Sequence, residues 1–220
     1  MAKSACIFGS TGLIGSHLLS ILLNDNRYDK IVLFNRTLQP VTNPNIVQIV
    51  ADYGSLDQYA NQLKTDDYYC CLGTTMKKAK NRQAFEYVDF NLPLAIAKLA
   101  LENEVPKLLV VSSIGASAKS GTFYLRVKGL MEIELGKIGI KHLHFFRPSM
   151  LLGKRNEKRF AESAGMIIMK IFGFLLVGKL KKYRAIKGEI VAEAMVVVAN
   201  GSYSNISVES DEIQKLGAKI

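Results

Sequence analysis

The segment Gly9-Ser10-Thr11-Gly12-Leu13-Ile14-Gly15 follows a short apolar stretch, Ser4 to Phe8. It leads into a run where Leu13, Ile14, Leu18, Leu19, Leu22 and Leu23 recur at helical spacing. A glycine turn that leaves a buried strand and opens a helix constrains the fold more than any other feature of this chain. Free backbone N–H groups and the positive end of the helix dipole gather there. The missing Cβ atoms let a phosphate come close. The spacing is G-x-x-G-x-x-G rather than the better-known G-x-G-x-x-G.

Downstream, strand and helix signals alternate, as in a doubly wound, mostly parallel α/β sheet. Strands are predicted at Lys30 to Asn35, Ile46 to Val50, Tyr68 to Leu72, Lys107 to Val111 and Lys141 to Phe146, with a short last one at Ile206 to Val208. Helices are predicted at Ser55 to Lys64, Val88 to Asn103, Phe123 to Leu135, Phe160 to Leu176 and Lys187 to Ala199. A final turn spans Asp211 to Leu216. No linker interrupts the run, so residues 1–220 read as one domain, with about 150–220 supplying a small helical lid and the last strand. The polar connection Leu151 to Arg159 is expected to rim a crevice at the carboxyl ends of the strands.

Composition excludes several classes. A chain that is 49% apolar and 22% charged, with no repeat or low-complexity block, is neither disordered nor fibrous. The start runs straight into the first strand, so no signal peptide is expected. The most apolar window, Met166 to Val177, is interrupted by Lys170 and Gly173 and is too short for a bilayer. Cys6, Cys70 and Cys71 fall on buried strands, and the adjacent pair points to opposite faces. Free thiols and a cytoplasmic setting are therefore expected. The net charge of +10 is spread along the chain apart from the run Lys179 to Arg184, and no nucleic-acid motif accompanies it. A surface with affinity for an anionic ligand is the preferred reading.

After the second strand, an NAD-type protein places an acid against the adenosine ribose. Here stand Asn35 and Arg36, with no carboxylate. An arginine pairs with a 2′-phosphate, so NADP(H) is expected over NAD(H), the alternative being that Arg36 is simply solvated. Asp52 and Tyr53 occupy the place of adenine contacts, though Asp52 equally suits a helix cap. Leu72, Gly73 and Thr74 would pass under the cofactor.

Past the fifth strand come Ser112 and Ser113, and then Tyr124 and Lys128, which share one helix face. Beside a nicotinamide, the lysine ammonium lowers the tyrosine pKa and holds the ribose. The phenol exchanges a proton with the substrate oxygen, and a serine hydroxyl orients that oxygen. Of the two serines, Ser113 is favoured for the last role because it lies farther toward the crevice. Tyr183 and Lys187 repeat the spacing but follow no strand ending in serines, so position selects Tyr124 and Lys128. Arg147 and Pro148 close the sixth strand. The proline fixes the turn and the following backbone faces the carboxamide, while Arg147 is alternatively an ion-pair partner.

Together these motifs resemble the short-chain dehydrogenase/reductase superfamily, in its atypical, extended-like branch. The Leu72-Gly73-Thr74-Thr75 and Ser112-Ser113-Ile114-Gly115-Ala116 segments look most like the Tat-interactive-protein-like oxidoreductases. The resemblance implies a Rossmann fold, bound NADP(H) and a Ser-Tyr-Lys constellation formed by Ser113, Tyr124 and Lys128. Only about 70 residues follow Arg147, fewer than a sugar-nucleotide domain needs, which disfavours an epimerase.

The expected function is NADP(H)-dependent reduction of a carbonyl-type group on a small, partly apolar substrate. A cofactor-bound regulatory protein acting through a partner is the alternative. His17, His142 and His144 lack metal-ligand spacing, so no metal is expected. Met166 to Phe172 reads as core or pocket wall. No nucleic-acid partner and no transmembrane segment are expected. A homodimer and a weak contact with an anionic surface are left open.

Overall fold

The computed structural model of the protein describes residues 2–153 and 178–218. The helix expected at 160–176, the apolar stretch 166–177 and most of the rim connection lie outside the described residues.

Seven parallel strands form one sheet: β1 (Lys3–Phe8), β2 (Tyr28–Asn35), β3 (Ile46–Val50), β4 (Asp67–Cys70), β5 (Lys107–Val111), β6 (His142–Arg147) and, as the seventh, the C-terminal strand Ser207–Glu209. Their order is β3-β2-β1-β4-β5-β6 and then the C-terminal strand, so the direction of winding reverses between β1 and β4. In such sheets that reversal opens a crevice over the strand ends. The register brings those ends level: Phe8 pairs with Phe34 on one side and Cys70 on the other, and Val111 with Phe146.

Period-two alternation divides each strand between two buried faces. Ala5 and Ile7 pack with Tyr69 and Leu109 beneath α1 (Leu13–Leu23) and a helix near the C-terminus, Gly188–Asn200. Cys6 and Phe8 pack with Val32, Phe34, Tyr68 and Cys70 on the other face. Cys71, one residue past β4, joins the first face, and all three thiols are free. Fully buried side chains such as Leu18, Leu22 and Ile96 each contribute roughly 1.5–3 kcal/mol.

Besides a small sheet that pairs Leu151–Leu152 with Ile186–Lys187, two stretches depart from the sequence expectation. The segment expected as a helix after β3 is a 3-10 segment, Tyr53–Leu63, kinked at Ser55 and pinned by buried Leu56 and Leu63. The helix expected from Val88 starts earlier. After the short α2 (Met76–Ala79), α3 (Arg82–Glu86) is capped by Asn81, whose side chain accepts from the Ala84 N–H at 2.8 Å. It runs through a π-helical turn, Tyr87–Asn91, into α4 (Leu92–Glu102). Residues 80–87 are mostly polar, so no apolar periodicity announces this first part. The Tyr/Lys helix, α5, spans Phe123–Gly136.

Among the described residues after 150, the short β7 (Leu151–Leu152) pairs in parallel with β8 (Ile186–Lys187) in a separate two-stranded sheet. The helix Gly188–Asn200, α6 in chain order, covers the sheet beside α1, and the C-terminal strand, β9, is followed by α7 (Ser210–Gly217).

Candidate active site

Gly9 adopts φ +88°, and an added Cβ would lie 3.1 Å from the Cys71 carbonyl carbon. Gly12 donates its N–H to the Gly9 carbonyl at 3.1 Å, closing the turn. Gly15 admits no side chain, because its Cβ would stand 2.2 Å from the Gly9 oxygen. Helix α1 thus begins hard against the end of β1. Among the described residues no side chain caps its N-terminus, and its first residues, Leu13 and Ile14, line the crevice.

That crevice is a cleft of about 510 Å³, within the size range of cofactor sites. Gly9, Thr11, Gly12, Leu13, Ile14 and Arg36 line one part of it. Leu72, Gly73 and Thr74 line it as well, together with Ser112, Ser113, Tyr124, Lys128 and Pro148. Residues separated by more than a hundred positions, from the glycine turn and from the Tyr/Lys helix, line this one cleft.

Other residues singled out from the sequence do not line the cleft. Ser10 is fully buried, donates to Asn35 Oδ1 at 3.0 Å and accepts from Gln39, so Ser10 and Asn35 tie the glycine turn to β2. Gly15 acts through packing. Asp52 caps the 3-10 segment, accepting from the Gly54 N–H at 2.9 Å. Tyr53 is buried against Phe34 and donates its hydroxyl to the Phe34 carbonyl at 3.0 Å, and burial pushes the phenol pKa up. Arg147 takes the ion-pair alternative. Its Nε donates to Glu132 Oε1 at 3.0 Å and its Nη1 to Glu209 Oε1 at 2.9 Å. The hydrogen bond to Glu132 holds the guanidinium above its usual pKa.

The serines divide as well. Ser112 is buried and donates to Glu132 Oε1 at 2.5 Å, which engages its hydroxyl in the Arg147 network. Ser113 is half-buried on the cleft wall, and among the described residues its hydroxyl makes a single long contact of 3.4 Å with the Ile114 carbonyl.

The sequence reading missed Asp89. It sits in the π-helical turn, is fully buried, and places one oxygen 2.9 Å from the Lys128 ammonium. Its other oxygen accepts from the Thr74 N–H at 2.8 Å. Lys128, itself buried, also donates to the Val111 carbonyl at 3.1 Å. Burial pushes the lysine pKa down, but the charges of Asp89 and Tyr124 outweigh it and leave Lys128 above the ordinary value. Glu132 was missed too. Both acids interrupt apolar helical runs, Val88-Asp89-Phe90 and Met131-Glu132-Ile133, and that interruption was the available signal.

A family model described as HIM1 matches residues 26–188. The chain belongs to the HIM1 family. Protein HTATIP2 of Rattus norvegicus is 34% identical to this HIM1-family chain over 221 residues, covering 98% of it and 89% of the relative. The FMP52 protein of Debaryomyces hansenii, named mitochondrial, is 29% identical over 205 residues, covering 90% and 88%. The resemblance to atypical short-chain dehydrogenases/reductases is thereby upheld. Among solved structures, a UDP-N-acetylglucosamine 4-epimerase from Methanobrevibacter ruminantium superposes with TM-score 0.71 at 16% identity, covering 94% of this chain and 76% of that one. The Bordetella bronchiseptica enzyme WbmG in complex with NAD gives TM-score 0.69 at 14% identity, covering 94% and 72%. At that identity the likeness establishes the Rossmann fold alone.

The mitochondrial designation of the yeast relatives overturns the cytoplasmic setting expected from the sequence. Free cysteines, two of them buried, do not select one compartment. Among the described residues, no helix is long and apolar enough to cross a membrane.

Proposed function

We propose that this HIM1-family chain is an NADP(H)-dependent oxidoreductase reducing a carbonyl-type group on a small, partly apolar substrate. The observation that carries the reading is that Tyr124 and Lys128 line the same cleft as the glycine turn. The uncapped start of α1 and Gly9 would hold the pyrophosphate, and Gly73 and Thr74 would lie beneath the nucleotide. Arg36 lines the cleft at the end of β2 and would pair with a 2′-phosphate, with no carboxylate on that strand end to repel it.

NADPH, when bound, would supply the hydride. Tyr124 gives its phenolic proton to the substrate oxygen, and the Lys128 cation stabilises the phenolate left behind. Ser113 donates a hydrogen bond to the same oxygen, Ser112 being engaged by Glu132.

Tyr124→Phe is expected to lower kcat on an accepted carbonyl by about 10²–10⁴-fold, with NADPH affinity by calorimetry unchanged. Undiminished turnover refutes the role of Tyr124. Tight NADPH binding by the wild type with no turnover across a broad carbonyl panel favours the cofactor-bound regulatory reading instead.

A further inference from the structure

The connection between β2 and β3 carries Arg36, which lines the cleft, yet residues 36–43 form neither helix nor strand. Arg36, Thr37 and Leu38 are all exposed, Leu38 with 71% of its surface. Burial of apolar surface therefore does not hold this tripeptide in place. Hydrogen bonds on either side of it do. Asn35, just before it, accepts from the Ser10 hydroxyl at 3.0 Å, and Gln39, just after it, donates its side-chain amide to the same hydroxyl oxygen. One hydroxyl of the glycine turn thus acts as donor to one flank and acceptor to the other, and it closes Arg36-Thr37-Leu38 into a ring. Ser10 is fully buried and Asn35 nearly so, which keeps water from competing for these bonds.

Gln39 is itself fixed. Its N–H donates to Gln48 Oε1 at 2.9 Å, and its carbonyl accepts from Gln48 Nε2 at 3.0 Å. A side-chain amide on β3 thereby pairs the Gln39 backbone as a neighbouring strand would. Pro40 favours the extended backbone that such pairing needs at the residue before it. A cation on a free loop must be ordered when its anion binds, which weakens affinity by about two- to tenfold for each long side chain immobilised. A cation on a loop already pinned escapes part of that loss.

We infer that Gln39 is a positioning residue for cofactor discrimination, holding Arg36 against the glycine turn through the Ser10 hydroxyl. One NADP(H) molecule then meets the arginine with its 2′-phosphate and the turn with its pyrophosphate. This rests on the NADP(H) reading above, and the test separates the two. NADPH and NADH, which differ by the 2′-phosphate alone, are titrated by calorimetry into the full chain. The wild type is expected to bind NADPH at least about tenfold more tightly. Gln39→Met keeps the length of the side chain and removes its donor. It should cut that preference by about two- to tenfold and leave NADH affinity unchanged. Gln48→Met, which frees the Gln39 backbone, should act in the same direction. In an Arg36→Ala background, Gln39→Met should not alter the ratio further, because it acts through that arginine. A merely structural role would lower Tm or weaken both cofactors alike with their ratio intact, which overturns the inference. Full preference for NADPH in both glutamine variants also overturns it and leaves the NADP(H) reading standing. Equal binding of the two cofactors by the wild type removes that reading and the inference with it.

Discussion

Replacing Gly15 by alanine tests the glycine turn with the least chemical change. The new Cβ would lie 2.2 Å from the Gly9 carbonyl oxygen and 2.9 Å from both the Gly9 carbon and the Ser10 Cα. Ordinary contact begins at 3.4 Å, so the helix start and the turn must separate by 3.4 − 2.2 = 1.2 Å along the closest approach. Every atom met is backbone, and Leu18 and Leu22 hold α1 against the sheet without exposed surface. Overpacking of this kind costs about 1–3 kcal/mol, while the better helix propensity of alanine returns up to about 1 kcal/mol. A net loss of about 1–2 kcal/mol lowers Tm by about 2–8 °C in a domain of this size. On the proposal that the displaced N–H groups hold the cofactor pyrophosphate, NADPH affinity should fall at least about tenfold, a further 1.4 kcal/mol read by calorimetry. Gly136→Ala is the control. Its Cβ meets nothing within 4 Å, so stability should change by no more than about 1 kcal/mol and binding not at all. A Gly15→Ala protein with wild-type Tm and NADPH affinity would refute the close-packed cradle.

Arg36→Ala should weaken NADPH by about tenfold or more, the worth of a charge-assisted phosphate contact, and leave NADH unchanged; equal effects on both in calorimetry would remove the basis for NADP preference. Lys128→Met strands Asp89 as a buried charge and should cost about 3–5 kcal/mol in urea unfolding, whereas Lys128→Met/Asp89→Leu should recover most of that loss; additive losses would show that the pair is not coupled. Buried His144 donates from Nδ1 to the Asn205 carbonyl at 2.9 Å, and burial holds its pKa below the ordinary value. The unfolded chain then binds the extra proton first, so this contribution is full above the unfolded histidine pKa of about 6.5 and is lost as pH falls below it. His144→Gln should flatten the corresponding decline in Tm between neutral and mildly acid pH, and an unaltered slope would refute it.

Much of the cleft was legible because its signals are local. The glycine turn, the strand ends at Asn35 and Val111 and the Tyr124–Lys128 spacing are each written within a few consecutive residues. Asp89 was not legible. It lies 39 positions from Lys128, and nothing in Val88-Asp89-Phe90 says which helix the carboxylate faces once a π-helical turn has shifted the phase. The choice between Ser112 and Ser113 had the same difficulty, since what engages Ser112 is Glu132, 20 positions away. Asp52 shows the converse: its capping of Gly54 was an open alternative from sequence because a cap is a local hydrogen bond.

By itself, the chain determines the alternation of the main strands and helices, the place of the glycine turn and the helix face shared by Tyr124 and Lys128. Hydrophobic periodicity and glycine conformation act over a few residues and are readable there. Tertiary structure alone decides which charges are paired. Asp89 meets Lys128, and Arg147 bridges Glu132 and Glu209. These partners come from separate helices and strands, and only the packing of those elements across the sheet brings them within hydrogen-bonding distance.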